Sequence, residues 1–269
     1  MNHKRLDRLK KEERQWQDEI GNELIEQSYR CDGTRLVFES QFDKIISKID
    51  IENGFSILEV GCGRGQLINC IYEKFILKGI KFFGLDLSSK LVEVKQKYRN
   101  RSHWIVADGE KLPFNEKAFN VVIYNGSLHH MPNVLEAMHE TFRVIRQDGH
   151  IILFEPVSTI FSRTVHKILD PFIFKTVKYE SPVDEYCKDN FRLTTLKKII
   201  IEAGYLYTKS WHDFLAYPLT GCYAGTYFSN KPVFLKLLLK IEFFLQNIPL
   251  FRNLCNLFCW RILIDIYRK

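Results

Sequence analysis

The chain reads as an α/β protein in which seven strands form a mostly parallel sheet with helices on both faces. Two observations predict this. Short apolar runs rich in β-branched and aromatic residues alternate with helical stretches from residue 55 to 155, and strands apolar on both sides need cover on both faces. Each run also ends at a Gly, Asp, Asn or Glu, residue types that turn a chain out of a strand and cap the following helix.

Residues 1–30 carry dense charge of both signs around Trp16, Leu24, Ile25 and Tyr29, a pattern for one or two solvated helices with a few anchors. The first strand is 55–60, closing at glycines, and a helix follows over 66–74. A second strand, 81–85, ends at Asp86, and Ser88 caps a helix to residue 98. Strands at 104–107 and 120–124 end at Asp108 and Asn125. A helix over 134–145 leads to a turn at Asp148-Gly149, and a fifth strand, 150–154, ends at Glu155. Residues 157–192 are irregular and contain aromatics; a helix over 193–203 stops at Gly204, and the last two strands are 205–211 and 261–267. The expected organisation is an N-terminal helical segment, 1–50, a core, 51–156, and a C-terminal part, 157–269, with insertions at 157–192 and 212–260.

With 39 basic and 32 acidic groups and 46% hydrophobic residues among 269, the composition is that of a folded, water-soluble protein and not a disordered or fibrous one. The net charge of +7 is concentrated in residues 231–269, which hold seven basic and two acidic groups beside the most apolar stretch, 233–245. The longest uncharged run of that tail, 243–251, is far short of the roughly 18–20 residues that span a bilayer. The N-terminus has no apolar run of the secretory kind. Seven cysteines at irregular spacings, with no Cys-x-x-Cys, argue against a disulfide scaffold or a zinc site and fit a reducing cytosol. No metal is expected.

The chemistry-bearing motif is Glu59-Val60-Gly61-Cys62-Gly63-Arg64-Gly65. Glycines let the backbone turn sharply and approach a ligand closely, and the next helix presents free N–H groups. A dinucleotide fingerprint would need Gly or Ala at 66, where this chain has Gln66. An acid at the strand end suits a cationic amino group better than a pyrophosphate. Asp86, Asp108-Gly109 and Asn125-Gly126 end the next three strands, at the edge where open α/β sheets bind ligands. Asp86 suits both hydroxyls of a ribose, so the set fits a nucleoside with an amino-acid tail.

The stretches ILEVGCGRGQL, FFGLDLS, ADGEKLPFNEKAFNVVIYNGSLHHM and VLEAMHETFRVIRQDGHIILFEP, over about 100 residues, resemble the class I S-adenosylmethionine-dependent methyltransferases, especially the ubiquinone/menaquinone-biosynthesis branch. The resemblance implies a Rossmann-like sheet with an antiparallel last strand, S-adenosylmethionine as cofactor and S-adenosylhomocysteine as product. It implies that Gly61, Cys62, Gly63 and Gly65 pass under the methionine part and that Glu59 lies near its amino group. Asp86 would bind the ribose, Leu87 would pack near the adenine, and Asp108, beside Gly109, would accept from the adenine amino group. The backbone at Asn125-Gly126 would meet the methionine amino group. Gly149-His150 departs from the family's Gly-Gly, at a turn remote from the ligand.

Methyl transfer needs an oriented acceptor and, for an oxygen nucleophile, a base. Candidates are His129, His130 and Glu155, with His212 and Asp213 behind them. The two histidines read equally well as residues that fix the loop over the cofactor. Asp213, Tyr217 and Tyr223 lie on the segment leaving the sixth strand and are candidates for an acceptor pocket. The helix around 235–245, with Lys236 and Lys240 on one face, reads as a lid or as an interfacial membrane helix, the latter implying peripheral membrane contact through 231–260. The expected activity is methylation of a small apolar or lipid-linked acceptor, on oxygen or carbon sooner than nitrogen, in the cytoplasm and with peripheral membrane contact as a second element. No basic run interleaved with aromatics marks a nucleic-acid groove. The alternatives are an RNA or protein methyltransferase, or a non-catalytic cofactor-binding subunit.

Overall fold

The computed structural model describes residues 3–75, 79–90, 102–157, 193–220 and 226–268, with Thr159, Phe161, Thr164, Pro182 and Val183 besides. One sheet contains β1 (Ser56–Val60), β2 (Lys81–Asp86), β3 (Ser102–Val106), β4 (Phe119–Asn125), β5 (Ile145–Pro156), β6 (Leu206–His212) and β7 (Arg261–Tyr267). The order is β3-β2-β1-β4-β5-β7-β6, parallel throughout except for β7, which runs antiparallel to both neighbours. The chain moves outward from β1 to β3 and returns to β4 on the other side of β1, so a crevice opens between β1 and β4 at their carboxyl ends.

Alternation along the strands explains the near-continuous apolar runs. On β4, Val122 and Tyr124 face α5 (Val134–Val144) and α6 (Leu193–Glu202), packing with Ala137, Met138 and Leu196. Val121 and Ile123 face the opposite layer, with Ile45 of α3 (Asp32–Ile46) and Leu67 and Ile71 of α4 (Gln66–Phe75). Both faces are buried, as a parallel sheet requires. The buried Tyr124 hydroxyl meets Thr141 Oγ1 at 2.7 Å, and burial pushes its phenol well up.

The Asp148-Gly149 turn expected ahead of the fifth strand lies inside that strand. β5 begins at Ile145, which pairs with Phe119, and the register then slips so that Val121 meets His150. The slip is accommodated at Gly149, where a Cβ would come within 2.8 Å of the Asn120 carbonyl. The helix expected beyond Ser88, most of 157–192, and Tyr223 lie outside the described residues.

The N-terminal segment folds as α1 (His3–Trp16), a π-helical turn (Gln17–Gly21), α2 (Asn22–Arg30) and α3. Between β6 and β7 come α7 (Ala216–Thr220), α8 (Pro232–Gln246) and α9 (Pro249–Phe258). Leu235, Leu238 and Leu239 of α8 pack with Val37 of α3, leaving the other side of the helix in solvent.

Candidate active site

A cavity of about 560 Å³ opens at the carboxyl ends of β1, β2 and β4, within the range of small-molecule sites. Glu59, Gly61, Cys62 and Gly63 form one wall; Asp86, Leu87, Asp108 and Gly109 another; Asn125 and Gly126 a third. The glycine turn is required by its geometry. Gly61 and Gly63 have φ of +69° and +47°. A Cβ at Gly61 would collide with the Ser127 side chain, while nothing lies within 4 Å of one built at Gly63, so a ligand can approach that backbone. Asp86 holds the turn: its Oδ2 accepts from Gly63 N at 2.7 Å and its Oδ1 from Ser88 N at 2.9 Å. Gly65 stands apart from the lining. Its φ is +73° and a Cβ built on it would run into the Trp104 ring, so it shapes the turn from behind.

The third strand end is tied to the N-terminal cover. Lys10 Nζ lies 2.6 Å from Asp108 Oδ2 and 2.5 Å from Glu110 Oε2. Burial works against the Lys10 charge, but these two carboxylates outweigh it and raise its pKa. Asp18 pairs with the Ser88 hydroxyl, and Glu26 with Arg64 at 3.2 Å. Glu13 meets His130 Nδ1 at 3.3 Å; burial pushes the Glu13 carboxyl up, while His130, Gln17 and the Val183 N–H pull it further down.

His129 and His130 both line the cavity, whereas Glu155 does not. Glu155 is fully buried beneath the loop, accepting from Ser127 N at 3.1 Å and Leu128 N at 2.9 Å, with His129 Nδ1 at 2.7 Å from its second oxygen. Burial favours its neutral form, but the imidazole and the two N–H groups overcome that and hold it below the usual carboxylate range. The contact with the acceptor expected of Glu155 is not what the geometry places there: its carboxylate is turned to the loop backbone and the His129 ring and away from the cavity. Asp213 is likewise absent from the lining: φ is +65°, and its carboxylate is engaged by Gln41 at 2.5 Å and Lys44 at 2.7 Å. His212 also lies outside the cavity, where burial lowers its pKa to about 4. Tyr217 does face the cavity.

A methyltransferase-domain family model matches residues 58–153, the stretch from the end of β1 through β5 that builds these walls. The chain is an S-adenosylmethionine-dependent methyltransferase with a Rossmann-like fold.

Among relatives of this methyltransferase, the ubiquinone/menaquinone biosynthesis C-methyltransferase UbiE of Blochmanniella floridana is 26% identical over 204 residues, covering 70% of this chain and 77% of that one. A demethylmenaquinone methyltransferase of Staphylococcus epidermidis is 26% identical over 201 residues, covering 70% and 80%. In fold, the methyltransferase is similar to geranyl diphosphate C-methyltransferase of Streptomyces coelicolor, with a TM-score of 0.54 and 14% identity over 86% of this chain and 80% of that one. Its cofactor is S-adenosylmethionine.

Two parts of the methyltransferase's cavity had no sequence motif. One is the cover, where Trp16, Ile25, Tyr29, Phe38 and Phe42 add an aromatic and aliphatic chamber. Anchoring aromatics among the charges of residues 1–30 were its only signal. The other is Arg261, which starts β7 and reaches the cavity beside Gly126. A lone cation opening an apolar strand is visible in sequence, but the neighbours it meets depend on the sheet order.

Proposed function

We propose that this methyltransferase methylates oxygen or carbon of a small apolar or lipid-linked acceptor, held in the chamber beneath α1–α3. The observation that carries the reading is the continuity of one cavity from the polar strand ends to that aromatic chamber. The names of the relatives, which act on quinone precursors, and of a sterol 4-C-methyltransferase of Caenorhabditis elegans, 27% identical over 121 residues, support an acceptor of this kind.

The glycine turn, Glu59 and the Asn125-Gly126 backbone fit the methionine part of the cofactor, Asp86 its ribose, and Leu87, Asp108 and Gly109 its adenine. When bound, the cofactor supplies a methyl group already activated on a sulfonium. The chain's own task is to orient the acceptor in line with that methyl group and to exclude water. Ionised Glu155 can only accept, so His129 donates to it from Nδ1, and Nε2 is the nitrogen turned to the cavity side. That nitrogen is the base we assign for the acceptor's proton.

The acceptor's source is assigned to a membrane surface. No helix among the described residues is long and apolar enough to cross a bilayer. Yet α8 and α9 expose Val233 (84%), Phe243 (72%) and Leu250 (74%), flanked by Lys231, Lys236, Lys240 and Arg252, while Glu242 is buried. An apolar face bordered by cations suits the interface of an anionic bilayer. Neither helix lines the cavity, whose described cover is N-terminal. Incubation with tritiated-methyl cofactor and a bacterial membrane extract tests the reading. Label is expected in the chloroform-soluble lipid fraction, and label confined to RNA or protein would overturn it.

A further inference from the structure

The first helix of the cover, α1, turns two opposite charges inward. Leu9, Lys10, Glu13 and Trp16 fall at the three- and four-residue spacing of one helix face and are buried or half-buried, where an amphipathic helix carries apolar residues. Glu13 reaches His130, on the loop after β4. Lys10 reaches the loop after β3, where its Nζ lies 2.6 Å from Asp108 Oδ2 and 2.5 Å from Glu110 Oε2, with 17% of the side chain exposed. Withdrawing an ammonium group this far from water is costly, and the two carboxylates compensate it.

The compensation is mutual. Two carboxylates within reach of one nitrogen repel each other once the cation between them is taken away. The lining holds three further acids, Glu13, Glu59 and Asp86, whose charge adds to that repulsion. Of the other lining cations, Arg64 pairs with Glu26 at 3.2 Å and Arg261 approaches Asp213 at 3.9 Å. Among the described residues, Lys10 is therefore the cation that serves the acids after β3. Glu110 is also tied to the backbone, its Oε1 accepting from Asn133 N at 2.6 Å. Asp108 is held at both oxygens: Oδ1 accepts from Glu110 N at 2.9 Å and Oδ2 from Lys10. A carboxylate offers about four lone-pair sites, so two remain for a donor in the cavity.

We propose that Lys10 is a positioning residue for the cofactor's base: from the cover it fixes the Asp108 carboxylate in one orientation, so that this acceptor takes the 6-amino group of adenine and rejects a 6-oxo purine. This rests on the reading of Asp108 as the adenine partner and adds the residue that makes the partner selective. Without Lys10, the Glu110 N–H alone would anchor Asp108, and the carboxylate would swing away from Glu110 about that bond. A purine with oxygen at the 6-position turns a lone pair on the fixed carboxylate, a clash that a carboxylate free to turn relieves.

Calorimetry compares S-adenosylhomocysteine with S-inosylhomocysteine, its 6-oxo analogue, at neutral pH. The wild type is expected to prefer the 6-amino ligand by at least about thirtyfold, because a site built to accept a hydrogen bond is left unpaired against an oxygen. Asp108→Ala is expected to bring the two ligands close to level. Lys10→Met is expected to lower the preference at least about fivefold, and Lys10→Arg, which restores a cation, to hold it within about twofold of the wild type. Equal weakening of both ligands in Lys10→Met, with the preference intact, overturns the proposal and leaves the lysine a prop of the cover. A preference as low in Lys10→Arg as in Lys10→Met overturns it as well, since a cation would then not be what holds Asp108. No preference in the wild type, or one that survives Asp108→Ala, overturns the adenine assignment and this proposal with it. A preference abolished by Asp108→Ala and untouched by Lys10→Met overturns this proposal alone. If Lys10→Met does not fold, Lys10→Gln, which keeps most of the stem and drops the charge, is read by the same criterion.

Discussion

His129 Nδ1 lies 2.7 Å from Glu155 Oε2, and the carboxylate has no exposed surface. The pair puts a ring with a fixed tautomer at the cavity wall and its orienting acid behind it. If His129 takes the acceptor's proton, His129→Gln lowers single-turnover methyl transfer by roughly 100-fold. The affinity for S-adenosylhomocysteine should stay within about threefold. A parallel loss of cofactor affinity would reduce the residue to a fixture of the loop.

Glu155→Gln can keep an oxygen on the N–H groups of Ser127 and Leu128, but it removes the buried charge and turns an NH₂ toward His129 Nδ1, which donates in the wild type. A loss of about 3 kcal/mol in urea unfolding is expected at neutral pH. Because the native carboxyl titrates below its ordinary range, its stabilisation is present above that range and fades as pH falls through the lowered native value. The gap between wild type and variant should therefore narrow on acidification. A gap independent of pH would contradict the ionised assignment.

Gly65→Ala must hold an alanine at φ +73° against the Trp104 ring. The left-handed conformation costs about 1–2 kcal/mol and displacement of the indole adds to it, so about 3 kcal/mol of stability should be lost. Thermal unfolding reads this directly. An unchanged midpoint would mean that the turn has room the geometry denies.

Phe243 and Phe244 project from α8 at 72% and 66% exposure. Wild-type protein should co-sediment with phosphatidylglycerol-containing vesicles, less so at high salt. The double substitution Phe243→Ser/Phe244→Ser should abolish sedimentation and leave S-adenosylhomocysteine binding intact. Equal sedimentation of the two proteins would remove this face from the membrane reading.

What could be read from the sequence follows from how local each signal is. The strands were legible because the apolar runs had to be covered on both faces, and the strand-end residues Asp86, Asp108 and Asn125 share one edge by parallel topology alone. The Gly149 bulge was not legible, since a glycine that turns a chain and one that admits a neighbouring carbonyl are the same letter. Glu155 was assigned to the right edge but to the wrong face of the loop. A carboxylate at a strand end can point at ligand or at backbone, and only the positions of Ser127 and Leu128 decide. Asp213 was drawn away by Lys44 and Gln41 of α3, partners about 170 residues distant in the chain. The apolar stretch 233–245 was legible as a helix, but its exposed side required knowing that only Leu235 and its neighbours dock on α3.

Calorimetric titration with S-adenosylhomocysteine tests the central assignment most directly, comparing the wild type with Asp86→Ala and Asp86→Asn. If Asp86 takes the ribose hydroxyls while bracing Gly63, the wild type binds one equivalent and both variants bind about 100-fold more weakly. Folded variants that bind as tightly as the wild type would contradict the placement of the cofactor along these strand ends.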